Sequence, residues 1–336
     1  MAPRKPQPQS GEERLIARYF RPLARHPGAL GLTDDAAVLT PPAGAELVLT
    51  TDAIVGGVHF FPADRADMVA RKALRVNLSD LAAKGAKPAG FLLSLALPKR
   101  IGEGWLASFA RGLGGDAETY SCPLLGGDCV RTPGPLTISI AAFGTLPQGT
   151  MVRRSGARAG DRIVVSGTIG DAALGLVLRS DAGAAKRWRL DRSQRGHLAE
   201  RYLLPRPRNA IAEALRARAS AAMDISDGLV GDLGKLCAAS GIAAEVEAER
   251  VPLSQAARRA LAADPALVET GLTGGDDYEI IGTVAAGKLA SLRAAAAGAG
   301  VPLTEIGDVR KGAGTVRVLD RDRKPLLFKR PAFSHF

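Results

Sequence analysis

Two carboxylates and a hydroxyl crowd into Asp224, Ser226 and Asp227, in the stretch MDISDGLVGDLGKL, with Gly228 following at once. Beyond them Leu229, Leu233 and Leu236 recur at helical spacing with Val230 beside them, so a helix is expected to start at this acidic cluster and pack one face on a core. One Asp or Ser suffices to cap a helix. The surplus acids leave two readings open. One is a decorated first turn, since carboxylates suit the positive end of a helix dipole. The other is a metal–phosphate site, with carboxylates holding Mg2+ and helix N–H groups facing phosphate oxygens.

Four further clusters have the same make-up: Asp34 and Asp35 in GLTDDAAVL, Thr50, Thr51 and Asp52 with His59 in LTTDAIVGGVHF, Asn77 and Asp80 in NLSDLAAKGA, and Asp128 behind Gly127 in LLGGDCVR. Each has a plain reading by itself. Asp34-Asp35 makes an ordinary turn, Asp52 caps a strand end, Asp128 follows Gly-Gly in a turn, and His59 packs with Phe60 and Phe61. Asp80 fits a plain reading least, because it interrupts an apolar-patterned helix where Asp has poor propensity and is costly to bury unpaired. Taken together, short carboxylates with Gly and hydroxyl neighbours suit Mg2+, a hard cation that prefers oxygen. The glycines let backbone approach a ligand closely.

Other chemistries find little support. There is no GxxxxGK[ST] loop, no protein-kinase loop set, no HExxH and no GxSxG, and the chain has four His. Cys122, Cys129 and Cys237 have no CxxC spacing and read as small buried side chains in a reducing compartment. The 336 residues suggest roughly two domains. Lys plus Arg is 45 against 34 Asp plus Glu, a formal +11, which invites polyanions or phosphorylated small molecules. Aromatics at 4% argue against a stacking surface for single strands, and the arginines are scattered apart from RRSGAR and KRWRLDRSQR, the latter expected to be a solvated face. No apolar run is long enough to span a membrane, and MAPRKPQPQSGEE lacks the apolar core of a secretory signal. A cytoplasmic protein is expected, without nucleic-acid or membrane partners.

The elements that must position these residues alternate in type. Residues 1–11 are expected to be a disordered tail. ERLIARYF reads as helix, and ELVLTTD as a strand delivering Asp52 to its C-terminal end. Residues 67–84 read as a helix stopped by Gly85, followed by the buried strand GFLLSLALP, a helix EGWLASFARGLGGDAETY with a Gly-weakened middle, and the strand LTISIAAFGTL. A boundary is expected near PQGTMVRRSGARAGD, dividing residues 12–148 from 149–336. The second half reads as strand RIVVSG, helices DAALGLVLRS and NAIAEALRARA, strands AAEVEAE and DYEIIGTV, helix KLASLRAAAAGAG and a late edge strand GTVRVLD. LLGGDC and LTGGDD echo one another, a hint of two similar halves.

In order and spacing, TTDAIVGGVHF, RKALRVNLSDLAAKGAKP, LLGGD, RRSGARAGD, MDISDGLVGDL and LTGGDDYEI resemble the thiamine-monophosphate kinase family, within the superfamily of aminoimidazole-ribonucleotide synthetase, selenophosphate synthetase and a hydrogenase-maturation dehydratase. The likeness runs from GLTDDAAV to the final AFSHF. It implies an α+β (mixed α/β) fold of two domains: residues 12–148 bind ATP and Mg2+ and pair their sheet across a homodimer, and residues 149–336 form an α/β domain. It implies transfer of the ATP γ-phosphoryl group to thiamine monophosphate. By the same resemblance Asp35, Thr50, Thr51, Asp52, Asp80, Asp128, Asp224 and Asp227 match metal positions, with Asp34 a neighbour. Gly127, Asp128, Arg154 and Ser226 match nucleotide positions, and His59, Asp276 and Phe333 match substrate positions. Asp52, Asp128, Arg154 and Asp224 would carry the catalysis. Two residues depart from the family: Asp276 stands where Glu is usual, a shorter arm whose gap to the substrate a water can bridge, and Phe333 stands where Trp or Tyr is common. The alternatives are a sister ATP-dependent synthetase, though the selenophosphate enzyme's N-terminal Cys or Sec has no counterpart here, and a basic nucleic-acid-binding protein.

Overall fold

The computed structural model describes residues Gly11–Ser334. The expected tail therefore lies outside the described residues except for Gly11, which begins a helix. The described chain divides into two compact units. The first holds Leu49–Asn77, Pro88–Gly144 and the described residues before Gly44; the second holds Gly44–Val48, Leu78–Lys87 and the residues from Thr145 on. No helix among the described residues is long and apolar enough to cross a membrane.

The first unit is built from α1 (Gly11–Leu15), β1 (Ala45–Val55), α2 (Ala66–Ala83), β2 (Lys87–Pro98), α3 (Glu103–Thr119), β3 (Leu124–Thr132) and β4 (Thr137–Pro147), with end residues of some elements counted in the second unit. The sheet order is β1-β4-β2-β3. β4 buries Ile138, Ile140 and Ala142 in alternation, the period of a sheet with one face covered. Outward positions of the same sheet are apolar too: Leu49 on β1, Leu92 on β2 and Val130 on β3 are all exposed. The glycines in α3 serve packing. A Cβ on Gly112 would sit 2.4 Å from the Asp67 carbonyl oxygen, so the glycine lets the start of α2 lie against α3. Asp116 of α3, almost fully buried, accepts both nitrogens of the Arg75 fork from α2.

The second unit continues with β5 (Arg162–Ser166), α4 (Asp171–Ser180), α5 (Ala184–Arg187), α6 (Arg192–Leu203), α7 (Ala212–Arg218), β6 (Ala219–Ile225), α8 (Leu229–Ser240), β7 (Ile242–Glu247), α9 (Gln255–Ala263), α10 (Leu267–Thr273), β8 (Glu279–Val284), α11 (Ala286–Gly298), β9 (Leu303–Lys311) and β10 (Val316–Leu319). Its sheet runs β10-β7-β9-β5-β8-β6, antiparallel throughout except for the parallel pair β10–β7 at one edge. The central strands read as unbroken apolar runs because both faces are covered. Ile163, Val165, Met223 and Ile281 pack with Leu229, Leu233 and Leu236 of α8 on one face, and Val164, Ala222 and Ile280 pack with Leu215 of α7 and Leu292 of α11 on the other.

Five expectations change. The helix of the opening stretch starts at Leu229, so Asp224 is the penultimate residue of β6, and Ser226 and Asp227 form the turn between them. Pairing of residues 221–225 with β8 and the left-handed Gly228, φ 116°, decide the boundary against the acidic cluster. Asp52 lies inside β1, which runs on through Ala53, Ile54 and Val55. Asp128 lies within β3 rather than in a turn. The echo of LLGGDC and LTGGDD is therefore not structural, since the second motif ends α10 and becomes a loop. KRWRLDRSQR is not a uniformly solvated face: Trp188 and Leu190 are buried against Leu174 and Leu198, and Asp191 and Gln194 close a capping box on α6. Leu233→Ala, at a site 1% exposed, is expected to lower unfolding free energy by about 2–5 kcal/mol in urea titration.

Candidate functional site

In the first unit β1 carries Thr50, Thr51 and Asp52, with successive side chains on opposite faces. The Asp52 amide donates to Oδ1 of Asn77 at 3.0 Å, and Asn77, fully buried on α2, donates to the Ala73 carbonyl. Thr51 donates its hydroxyl to the Ile140 carbonyl at 3.1 Å. Just past β1, Nδ1 of His59 accepts the Val55 amide at 3.0 Å, and buried Lys72 donates to the His59 carbonyl at 2.9 Å. A ring nitrogen that accepts carries no proton, so the neutral ring is protonated on Nε2. His59 is thus fixed by polar bonds at its ring and its carbonyl. Asp34 and Asp35 are exposed, and Asp34 Oδ1 caps the Asp35 amide at 2.8 Å.

Gly127 and Asp128 sit on β3 opposite Leu93 and Ser94 of β2. Gly127 has φ 154°, and a Cβ there would fall 1.8 Å from the Leu93 carbonyl oxygen, so only glycine fits. β1 and β3 are the two edges of this sheet, so β4 and β2 lie between the strand of Asp52 and that of Asp128.

The second unit gathers Asp80, Arg154 and Asp224 around Lys84, the first residue after α2. One residue of β6, Ala222, links them through both of its backbone groups. The Ala222 carbonyl accepts Lys84 Nζ at 2.8 Å, and the Ala222 amide donates to the Arg153 carbonyl at 3.0 Å, two residues before buried Asp224. Burial pulls the Lys84 ammonium down to about 8, Arg154 pulls the same way, and Asp224 and Asp80 oppose them.

After β6 the turn is clamped by a carboxylate not singled out from the sequence. Asp232 of α8, wholly buried, accepts the amides of Ser226 and Asp227 at 3.0 and 2.9 Å. Lys235 bridges Asp232 and Asp227 at 2.7 and 2.5 Å. Burial pushes Asp232 above the usual carboxylate range, against the pull of Lys235. The Asp276 amide donates to the Ser226 carbonyl and the Phe333 amide to the Asp227 carbonyl, both at 2.9 Å. The structure thus brings Ser226, Asp227, Asp276 and Phe333 together through backbone. Asp232 and Lys84 escaped the sequence reading because each fills an unremarkable slot, a polar helical position and a basic helix end.

Among the described residues no three Asp, Glu, His or Cys side chains converge as a ready cation cage. An Mg2+ ion that arrives with phosphates asks for one or two protein carboxylates, its remaining positions being phosphate oxygens and water. The donors here, Asp carboxylates and Thr hydroxyls, have the hard-oxygen chemistry such an ion takes.

The chain matches the AIR synthase related protein N-terminal domain over residues 33–146 and the corresponding C-terminal domain over residues 158–320. It is 45% identical over 303 residues to thiamine-monophosphate kinase of Caulobacter vibrioides, covering 89% of this chain and 84% of that one. The crystal structure of thiamine-monophosphate kinase from Stenotrophomonas maltophilia K279a superposes with a TM-score of 0.81 at 41% identity, covering 93% of this chain and 96% of that one. AaThiL complexed with AMPPCP and TMP superposes with a TM-score of 0.76 at 32% identity, covering 90% and 91%.

The folded protein holds the Lys84 proton less tightly than the unfolded chain does. Between about 8 and 10.5 unfolding takes up a proton, so stability rises with pH across that window. Chemical denaturation at a series of pH values is expected to show the wild type gaining stability relative to Lys84→Met over the same window, with parallel curves ruling the titration out.

Proposed function

The chain belongs to the AIR synthase related family and, within it, to the thiamine-monophosphate kinases, and on that premise we propose how its residues carry the reaction. The enzyme transfers the γ-phosphoryl group of ATP to thiamine monophosphate, giving thiamine diphosphate and ADP. The observation that carries the reading is 45% identity to a thiamine-monophosphate kinase over 303 residues, most of both chains.

The attacking atom is a phosphate oxygen of thiamine monophosphate, already deprotonated near neutral pH, so no general base is required. The difficulty is to bring two anions together and to offset the charge on the transferring group. Mg2+ supplies charge neutralisation on the phosphate oxygens when bound. We assign Asp35, Thr50, Thr51, Asp52, Asp80, Asp128, Asp224 and Asp227 to holding Mg2+ ions, several in number. Asp227 is ion-paired with Lys235 through one carboxylate oxygen, Oδ2. Gly127, Asp128, Arg154 and Ser226 are assigned to ATP. His59, Asp276 and Phe333 are assigned to thiamine monophosphate. Phe333 is half exposed and offers a ring face for stacking. His59 would donate from Nε2, and Asp276 would accept from the substrate. The setting we infer is the cytoplasm, where unpaired Cys122, Cys129 and Cys237 persist as thiols.

A homodimer belongs to the same reading. Leu49, Leu92 and Val130 make an outward apolar set on one sheet, and a second copy presenting the same set would cover it as a self-complementary interface.

Thiamine diphosphate formation from ATP and thiamine monophosphate should appear with Mg2+, vanish with EDTA, and be absent with unphosphorylated thiamine. Asp224→Ala should lower turnover by roughly 100-fold or more. Unchanged turnover and Mg2+ dependence in that variant would remove Asp224 from the metal set. For the dimer, sedimentation should give twice the chain mass for the wild type and a single chain for Leu49→Lys.

A further inference from the structure

The loop that carries Asp276 is held in a backbone shape that side chains disfavour. Asp276 has φ 74° and Tyr278 φ 50°, left-handed values that are costly for any residue with a Cβ. Asp277, between them, is wholly buried. Its carboxylate turns away from the loop and closes the N-terminus of α4, accepting the Gly170 amide at 2.6 Å and the Ala172 amide at 3.2 Å. The helix has no side-chain cap of its own, since Gly170 holds that position in a left-handed conformation. The Asp277 carbonyl accepts Arg201 Nη2 at 3.1 Å, and the same nitrogen reaches Glu279 at 3.0 Å. Burial pushes Asp277 up to about 8, against the two amides and Arg201.

On its other side the loop is tied to the turn after β6. Besides the Asp276 amide on the Ser226 carbonyl, the Tyr278 amide donates to the Ile225 carbonyl at 2.8 Å. Gly275 presses on the same turn, where a Cβ would come within 2.4 Å of the Ser226 carbonyl oxygen. The loop is therefore gripped from both sides, and the α4 side is gripped by one side chain.

Resting on the assignment of Asp276 to thiamine monophosphate and Ser226 to ATP, we propose that Asp277 is a positioning residue for the transfer. By fastening the loop to the start of α4 it fixes the left-handed backbone of Asp276, and so sets where the acceptor substrate sits relative to Ser226. A carboxylate that only capped α4 would leave substrate affinity in the folded protein alone.

Asp277→Asn tests this. It keeps the shape and one oxygen acceptor but turns an NH2 group toward an amide donor. Steady-state kinetics on folded protein should show KM for thiamine monophosphate raised roughly 10- to 100-fold, with KM for ATP unchanged. A lowered Tm with both KM values at wild-type levels overturns the proposal. If the variant does not fold, hydrogen exchange on the wild type decides. One shared opening free energy for the amides of Gly170, Ala172, Asp276 and Tyr278 supports the clamp, and loop amides that open while the α4 amides stay protected overturn it. A wild type that makes no thiamine diphosphate sinks the assigned reaction instead, and the exchange comparison still judges the clamp.

Discussion

Two backbone hydrogen bonds, from Asp276 to the Ser226 carbonyl and from Tyr278 to the Ile225 carbonyl, hold the second unit's functional loops in one arrangement. Irregular backbone near a core must find partners for its amides and carbonyls, or lose the free energy of leaving them dry. Here the two irregular segments satisfy each other. The arrangement also explains the glycines. Gly228 lies against the backbone of Thr273 and Gly275 against that of Ser226, where a Cβ would meet atoms at 2.6 and 2.4 Å. Asp232 completes the set by taking the Ser226 and Asp227 amides from inside α8. The turn is thus shaped by backbone and by a buried acid, with the Asp227 carboxylate ion-paired to Lys235 beside it.

Buried charge is the second constraint. Glu279 has no access to water, and it is met by Arg201, by the Arg208 fork and by the Ser166 hydroxyl at 2.6 Å. Such a group is tolerable only with its hydrogen bonds filled, and removing one partner strands the rest. Glu279 begins β8, directly after the loop that carries Asp276 and Asp277. The same strand that supplies the apolar centre of the sheet therefore anchors the polar loop at its end. Lys84 is a milder case: one carbonyl bond and two nearby carboxylates keep an ammonium inside, at the cost of a lowered affinity for its proton.

The surplus of positive charge acquires a sense in this setting. Both substrates of a thiamine-monophosphate kinase are anions, and a basic surface raises their local concentration. Of the acidic residues assigned to metal, Asp52, Asp128 and Asp224 sit in strands, Asp80 in α2, and Asp35 and Asp227 in bends. The first unit keeps Asp52 and Asp128 on the two edge strands of its sheet.

The sequence by itself determined much of the element order and the family. Periodicity located α2 within a residue at each end, with Gly85 at φ 74° stopping it, and α8, β5, β8 and β10 fell where their apolar patterns put them. These signals are local, carried by side-chain period and backbone permissiveness, so they survive without a tertiary context. The quoted motifs carried the family for the same reason, as strings of residue types at set spacing. What only the tertiary structure decided is where each polar group finds its partner. Asp232 reads as a surface residue of an amphipathic helix and proves to be the buried clamp of the β6 turn. Asp277 reads as one of two equivalent acids beside Asp276, yet it alone turns inward to α4. Asp224 reads as a helix cap and lies in a strand. Hydrogen-bond partners 6, 107 and 83 residues apart, as for Asp232–Ser226, Asp277–Gly170 and Ser254–Asp171, obey no local period. They are set by which elements the core brings together, and that is a property of the packed chain.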